Sequence, residues 1–319
     1  MSGAACAPRS GAFPYCIDPD NQKFYTLASE LGVVMAPAIL SPSETLGFAG
    51  FAITAHVDFT TISTKKDYWM AAESYQFEDN DPSQPQTADS KAPSETAKTI
   101  GMTVRKGLWL PVPSFEVGLG FVHLLDSSLF APQLDAKLSL HEGFHNWPLP
   151  EIAVRGTASR VMGQTAFDLT TAGLDFSASK QFGIQGTVNL TPFAGYQILW
   201  IIADSDVMDG TPNCDPVVGS TKNPNCQPPD PAVTAPVCSS ADCNANFVFF
   251  DPDPIVRNRI FVGFRLNFDP ATFALAAAFT LAGGSTDKYL DPVGGEEEIR
   301  VHDKSPAQQT YSASLGLDF

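Results

Sequence analysis

Apolar and polar residues alternate with a period of two along most of this chain, most cleanly in its last nine residues. There Tyr311, Ala313, Leu315, Leu317 and Phe319 are apolar, whereas Ser312, Ser314, Gly316 and Asp318 are small or polar. A period of two places the two sets on opposite faces of a β-strand. The same reading applies from Phe51 to Phe59, where Phe51, Ile53, Ala55, Val57 and Phe59 oppose Thr54, His56 and Asp58. It predicts further strands over 98–108, from 115, and over 134–140, 152–159, 174–178, 184–200, 260–268 and 273–281. Strands of a β-sandwich also alternate, but they average about five or six residues and carry many Lys and Glu on their wet faces. These are longer, and their polar faces hold Gly, Ser, Thr and Ala with scattered ions of both signs. Such faces suit a crowded interior, and the lengths suit a tilted crossing of a bilayer.

The connections between strands supply an independent pattern. Read back from the C-terminus, long segments at 284–307, 203–256 and 63–97 alternate with short ones at Asp269–Pro270, Lys180–Gly183, 143–150 and Pro111–Pro113. The short connection near Met162–Thr165 falls on the long-loop side. The pattern predicts an all-β fold over 46–319, a closed up-and-down antiparallel transmembrane β-barrel of about ten strands, twelve being the alternative. Closure leaves no backbone edge unpaired in lipid. The alternation of Tyr311, Leu315, Leu317 and Phe319, ending on Phe, resembles the closing strand of bacterial outer-membrane β-barrels. That resemblance implies an outer-membrane location among outer-membrane lipids. It further implies that this strand is the signal read by the barrel-assembly machinery.

Residues 1–45 form a leader. Leu31–Leu40 is apolar and reads as an eleventh strand, or the leader packs at or inside the periplasmic mouth. In the second case Asp20 caps a short helix through Phe24, Leu27, Ala28 and Leu31 that Gly32 ends, serving as a plug or a tether. The start of the chain has no apolar core of signal-peptide length, and the preferred expectation is that a signal peptide has been removed. The cysteines support that. Cys6 and Cys16 lie in the leader, and Cys214, Cys226, Cys238 and Cys243 lie in the Pro/Asp/Asn-rich 203–256 segment. An even count in strandless segments reads as disulfide stapling in an oxidising compartment.

Composition narrows the partners. The 319 residues include 19 basic and 35 acidic ones for a net charge of −16, which disfavours nucleic acid. Mean hydropathy is −0.03, and no run of about 18 apolar residues suggests a membrane helix. The alternation assigns His56, Asp58, Arg105, Glu116, Asp135, Lys137, His141, Arg155, Asp175, Arg259 and Arg265 to the lumen, together with Asp318. They read either as a network filling a narrow barrel or as a conduit whose Arg residues favour anions. Asp204, Asp206 and Asp209 before Gly210 resemble part of an oxygen-rich calcium loop, although the Glu of a full loop is missing. Calcium is thus a candidate ligand of the outer loop, and no other cofactor is expected. His141-Glu-Gly-Phe-His145 lacks the helix a zincin needs, and no nucleophile elbow or nucleotide loop occurs. Tyr68, Trp69, Trp109, Trp147, Tyr196 and Trp200 read as interfacial anchors. The expectation is a monomeric, non-enzymatic barrel acting as a narrow conduit or uptake protein for small solutes. The alternatives are a closed structural or adhesion barrel, whose acidic outer loop binds a partner or calcium, and a lipid-modifying enzyme.

Overall fold

The alternating segments close into a ring. The computed structural model describes residues 20–66, 68–69, 94–109, 114–141, 149–164, 167–184, 188–206, 208–209, 246–290 and 298–319. The barrel strands are β1 Phe51–Thr61, β2 Thr96–Leu108, β3 Phe115–Leu124, β4 Phe130–His141 and β5 Glu151–Val161. They continue as β6 Phe167–Ser179, β7 Val188–Ser205, β8 Ile255–Phe268, β9 Ala271–Thr280 and β10 Gln308–Asp318. Each pairs antiparallel with its sequence neighbours, and β10 returns to β1 from Ala52 opposite Asp318 to Thr60 opposite Thr310. Phe51 and Phe319 seal the seam by exchanging backbone hydrogen bonds of 2.9 and 2.8 Å. The barrel therefore has ten strands and no free edge, which satisfies the backbone within the bilayer.

No helix among the described residues is long and apolar enough to cross a membrane, and the crossing is made by strands. Their outward parity forms an apolar belt that includes Ile53, Ile100, Leu119, Phe121, Leu134, Ile260, Leu275 and Leu315, all exposed. Leu119, 64% exposed, sits at the middle of β3. An arginine there would place a cation near the bilayer midplane, so Leu119→Arg is expected to cost about 2–4 kcal/mol. The denaturant midpoint of the refolded protein in lipid measures this, and an unchanged midpoint would remove Leu119 from the lipid face.

The rim carrying Phe51 and Phe319 also carries the short connections, including 180–187 and Asp269–Pro270. The opposite rim carries 62–95, 206–254 and 281–307. By barrel convention these are the periplasmic and outer rims. Two short ribbons lie beyond the outer rim, Met208–Asp209 with Asn246–Phe247 and Thr286–Leu290 with Glu298–His302. The six cysteines, Trp147 and His145 lie outside the described residues.

The leader departs from expectation. Asp20 caps a helix, α1, and accepts from the Lys23 amide at 3.0 Å, but α1 spans Asn21–Met35 and passes straight through Gly32. Neither an eleventh strand over 31–40 nor a stop at Gly32 occurs. Gly32 instead faces the Ile201 side chain so closely that a Cβ would collide with it. The helix ends where Ala36, extended at φ −65° and ψ 148°, precedes Pro37, because a residue before proline disfavours the helical region. Residues 36–46 then run as an extended strap down the lumen to the start of β1.

The helix occupies the outer half of the barrel rather than the periplasmic mouth. The cause lies in the wall. Near the outer rim the inward positions include Val122, Val161, Leu169, Leu199, Ile201, Ala203 and Ile255, all buried in one cluster with Phe24, Tyr25, Leu31, Val34 and Met35. A helix satisfies its own backbone and can lie against such an apolar wall. An extended strap has free backbone groups that need partners, and the lower wall supplies them.

Candidate functional site in the barrel interior

Each lumen residue named from the alternation stands on the inward parity of its strand, and four groups form. In the lower barrel, Glu116 on β3 is 2% exposed. Its Oε1 lies 3.1 Å from Arg105 Nη1 and 3.4 Å from Lys137 Nζ, while Oε2 accepts from the Leu46 amide at 3.0 Å. The two cations also hold the strap. Arg105 Nη1 donates to Ser41 Oγ at 2.9 Å. Lys137 Nζ donates to Ser41 Oγ at 2.7 Å, to the Pro42 carbonyl at 3.2 Å and to the Glu44 carbonyl at 2.8 Å. Arg265 pairs with the Glu44 carboxylate. Opposite, Ser43 donates from its amide to Ser179 Oγ and from its hydroxyl to Ser177 Oγ, both at 3.1 Å.

At mid-height, Arg155 grips Asp175 through Nε at 2.7 Å and Nη2 at 2.6 Å, and Nη2 also reaches the Ala38 carbonyl at 3.2 Å. Gln197 donates to the same Asp175 at 2.5 Å and accepts from Arg259 Nη1 at 2.9 Å. Here Ser159 Oγ also donates to the Met35 carbonyl at 3.2 Å, where the helix becomes the strap.

At the outer end, two fully buried carboxylates fasten the helix to the outer loops. Glu30 of α1 accepts from the Ser63 amide at 3.2 Å, Tyr68 OH at 3.1 Å and Trp69 Nε1 at 2.5 Å. Burial, and after it the Glu30 carboxylate, push the Tyr68 phenol above its usual range. On the other side Ser29 Oγ donates to Asp303 Oδ2 at 2.6 Å, and Arg257 Nη1 donates to Ser29 Oγ at 2.8 Å. Arg257 adds bonds to the carbonyls of Leu281 at 2.8 Å and Pro306 at 3.1 Å. Tyr68, 5% exposed, and Trp69 are thus latch residues and not interfacial anchors. Tyr196 and Trp200 fall within β7 rather than at its end, whereas Trp109 is 61% exposed near the periplasmic rim, edge-on to Phe48 at 5.8 Å.

A fourth group lines a cavity of about 50 Å³ between strap residues 37–41 and the wall of β1 to β5. Thr54, His56, Thr103, Gln133 and Asp135 line it, as do Arg105 and Arg155. Gly118 leaves the room that the Asp135 carboxylate fills, since a Cβ would strike it. His56 Nε2 lies 3.6 Å from Asp58 Oδ2, which accepts from Thr99 Oγ1 at 3.2 Å. His141 is inward near the periplasmic rim, beside an irregular register between Ser139 and His141.

The alternation placed Gln197 on the polar face of its strand but did not pick out Arg257, Glu30 or Asp303. The parity of Arg257 with Arg259 was an available signal, whereas Glu30 and Asp303 lie in a helix and a loop, where period two says nothing. Asp204 and Asp206 are exposed at the outer end of β7, and the Asp209 side chain lies outside the described residues. Among the described residues no group of three or more His, Cys, Asp or Glu is placed to hold a metal ion.

No protein-family model matches this chain, and no curated protein matches it either. Solved structures do. The outer membrane protein OprG from Pseudomonas aeruginosa is 11% identical with a TM-score of 0.34, covering 88% of this chain and 99% of its own. The β domain of the Bordetella autotransporter BrkA is 9% identical at 0.35, covering 86% and 99%. The outer membrane protease OmpT from Escherichia coli is 7% identical at 0.34, covering 89% and 98%. The overlap in length is broad and the superposition loose, so the interior described above has to be read from this chain's own residues.

Proposed function

We propose that this protein is an outer-membrane conduit for small solutes, closed by its own residues 21–46. The observation that carries the reading is the polar interface between strap and lower wall. Arg105, Lys137, Arg155 and Arg265 reach from the wall to Ser41, Pro42, Glu44 and Ala38, and Glu116 accepts from Leu46. The lower wall, built this way, remains hydrophilic when the strap leaves, as that half of an aqueous passage requires. Wall cations and carboxylates are interleaved, so the passage is expected to discriminate weakly by charge. The reading is of a transport barrel without enzymatic chemistry, placed by the assembly machinery through its closing strand.

Planar-bilayer conductance of the full chain and of a chain lacking residues 1–45 tests it. The full chain is expected to stay mostly closed and the truncated one to conduct steadily. Heat-modifiable migration on gels shows whether the truncated barrel has formed. A folded truncated barrel without current would sink the conduit and leave a structural or adhesion barrel whose outer loop does the work.

A further inference from the structure

The interior is satisfied unevenly. Twelve buried side-chain nitrogen or oxygen atoms have no hydrogen-bond partner among the described residues, and they fall on β1, β4, β5, β8, β9 and β10. None falls on β2, β3, β6 or β7, and of the barrel strands β6 and β7 pack most closely with α1. Buried polar groups are almost always hydrogen-bonded, to water where protein offers nothing. Four of these atoms, Thr54 Oγ1, His56 Nε2, Gln133 Nε2 and Asp135 Oδ2, belong to residues that line the cavity beside Ala38 and Ser41. Further ones lie below, on His141 and Asp318 near the periplasmic rim, and above, on Asp58, Gln308 and Thr280 toward the outer rim.

We infer that a hydrated side passage runs between residues 37–41 and the β1 to β5 wall while the strap is seated, admitting small uncharged polar solutes. The inference rests on the conduit reading and gives it a route and a size. One water needs about 10–15 Å³ of such space, so the cavity of about 50 Å³ holds roughly four waters, or a solute of four or five heavy atoms. The lining mixes an amide donor on Gln133, hydroxyls and a carboxylate on Asp135, with Arg105 and Arg155 already engaged by Glu116 and Asp175. A free ion of either sign meets like charge there, whereas a neutral molecule carrying both a carbonyl and N–H groups can satisfy both kinds of partner. Urea is the simplest such probe.

Proteoliposomes containing the full chain are expected to swell in iso-osmotic urea at least tenfold faster than protein-free vesicles, and not to swell in sucrose. Thr54→Trp, which fills the cavity, should abolish the urea response. No urea response from the full chain, or an unchanged one from folded Thr54→Trp, overturns the passage. A second readout needs no transport. With the six native cysteines replaced by serine, Gln133→Cys should react with iodoacetamide, a neutral amide of about five heavy atoms, at least tenfold faster than Thr171→Cys, beside the buried end of the helix. Equal, slow labelling overturns the inference. A truncated barrel that conducts while Gln133→Cys stays unlabelled keeps the conduit and loses the passage. Labelling and urea swelling without ion current after truncation does the reverse.

Discussion

Glu116→Ala is expected to destabilise the barrel by about 3–5 kcal/mol, because removing one partner of a buried ion pair strands the other charge. Two charges are stranded here. Arg105 and Lys137 lose their shared carboxylate inside a wall where Lys137 is 2% exposed, and the Leu46 amide loses its acceptor. Both cations retain Ser41, and Lys137 keeps two carbonyls, so the loss falls on charge compensation rather than on hydrogen-bond count. Pairing Glu116→Ala with Lys137→Met should recover only part of the loss, since the apolar side chain needs no partner but Arg105 stays uncompensated and the Pro42 and Glu44 carbonyls lose their donor. Denaturant midpoints in lipid for both variants measure this. If Glu116→Ala leaves the midpoint unmoved, the group is open to bulk water and does not hold the strap.

The second large effect is at the outer latch. Glu30→Ala deprives Ser63, Tyr68 and Trp69 of their common acceptor. Unsatisfied buried donors cost about 1–3 kcal/mol each, and rehydration from the nearby outer rim recovers part of that. A net weakening of about 3 kcal/mol corresponds to roughly a hundredfold shift in the docking equilibrium. Single-channel recordings should show open probability rising by about that factor, with Tyr68→Phe giving a smaller rise. The Tyr68 phenol is held above its ordinary value of 10.0. The latch is therefore intact at neutral pH and weakens as pH climbs above that value, where the released phenol ionises more readily than the docked one. A Glu30→Ala channel as closed as the parent would show that the helix is held elsewhere.

The strands were readable because a membrane wall imposes the same parity on every crossing. Ile53, Leu119 and Leu315 face lipid while His56, Glu116 and Ser314 face inward, and no tertiary context can move one without moving all. The lumen residues followed from the same parity. What occupies the lumen did not. Leu31–Leu40 is apolar in a way that fits a strand, a buried helix or a plug equally well, and only the apolar inner wall around Leu199 and Ile201 decides for a helix at the outer end. The latch was invisible for a related reason. Glu30, Tyr68 and Asp303 belong to three separate segments, and no spacing along the chain records that they meet.

The route of the leader has a consequence for when the molecule can be finished. Gln22 donates to the His302 carbonyl across 280 positions of sequence, and Ser29 bonds to Asp303 across 274. The helix leaves the ribosome before any barrel strand, yet its seat is completed by residues that follow nine of the ten strands. Contacts of such separation close slowly. Through export and early insertion the helix therefore waits with its apolar surface unburied. The helix can dock only once the segment before the closing strand is in place, so its seating is a late step, separate from the pairing of neighbouring strands.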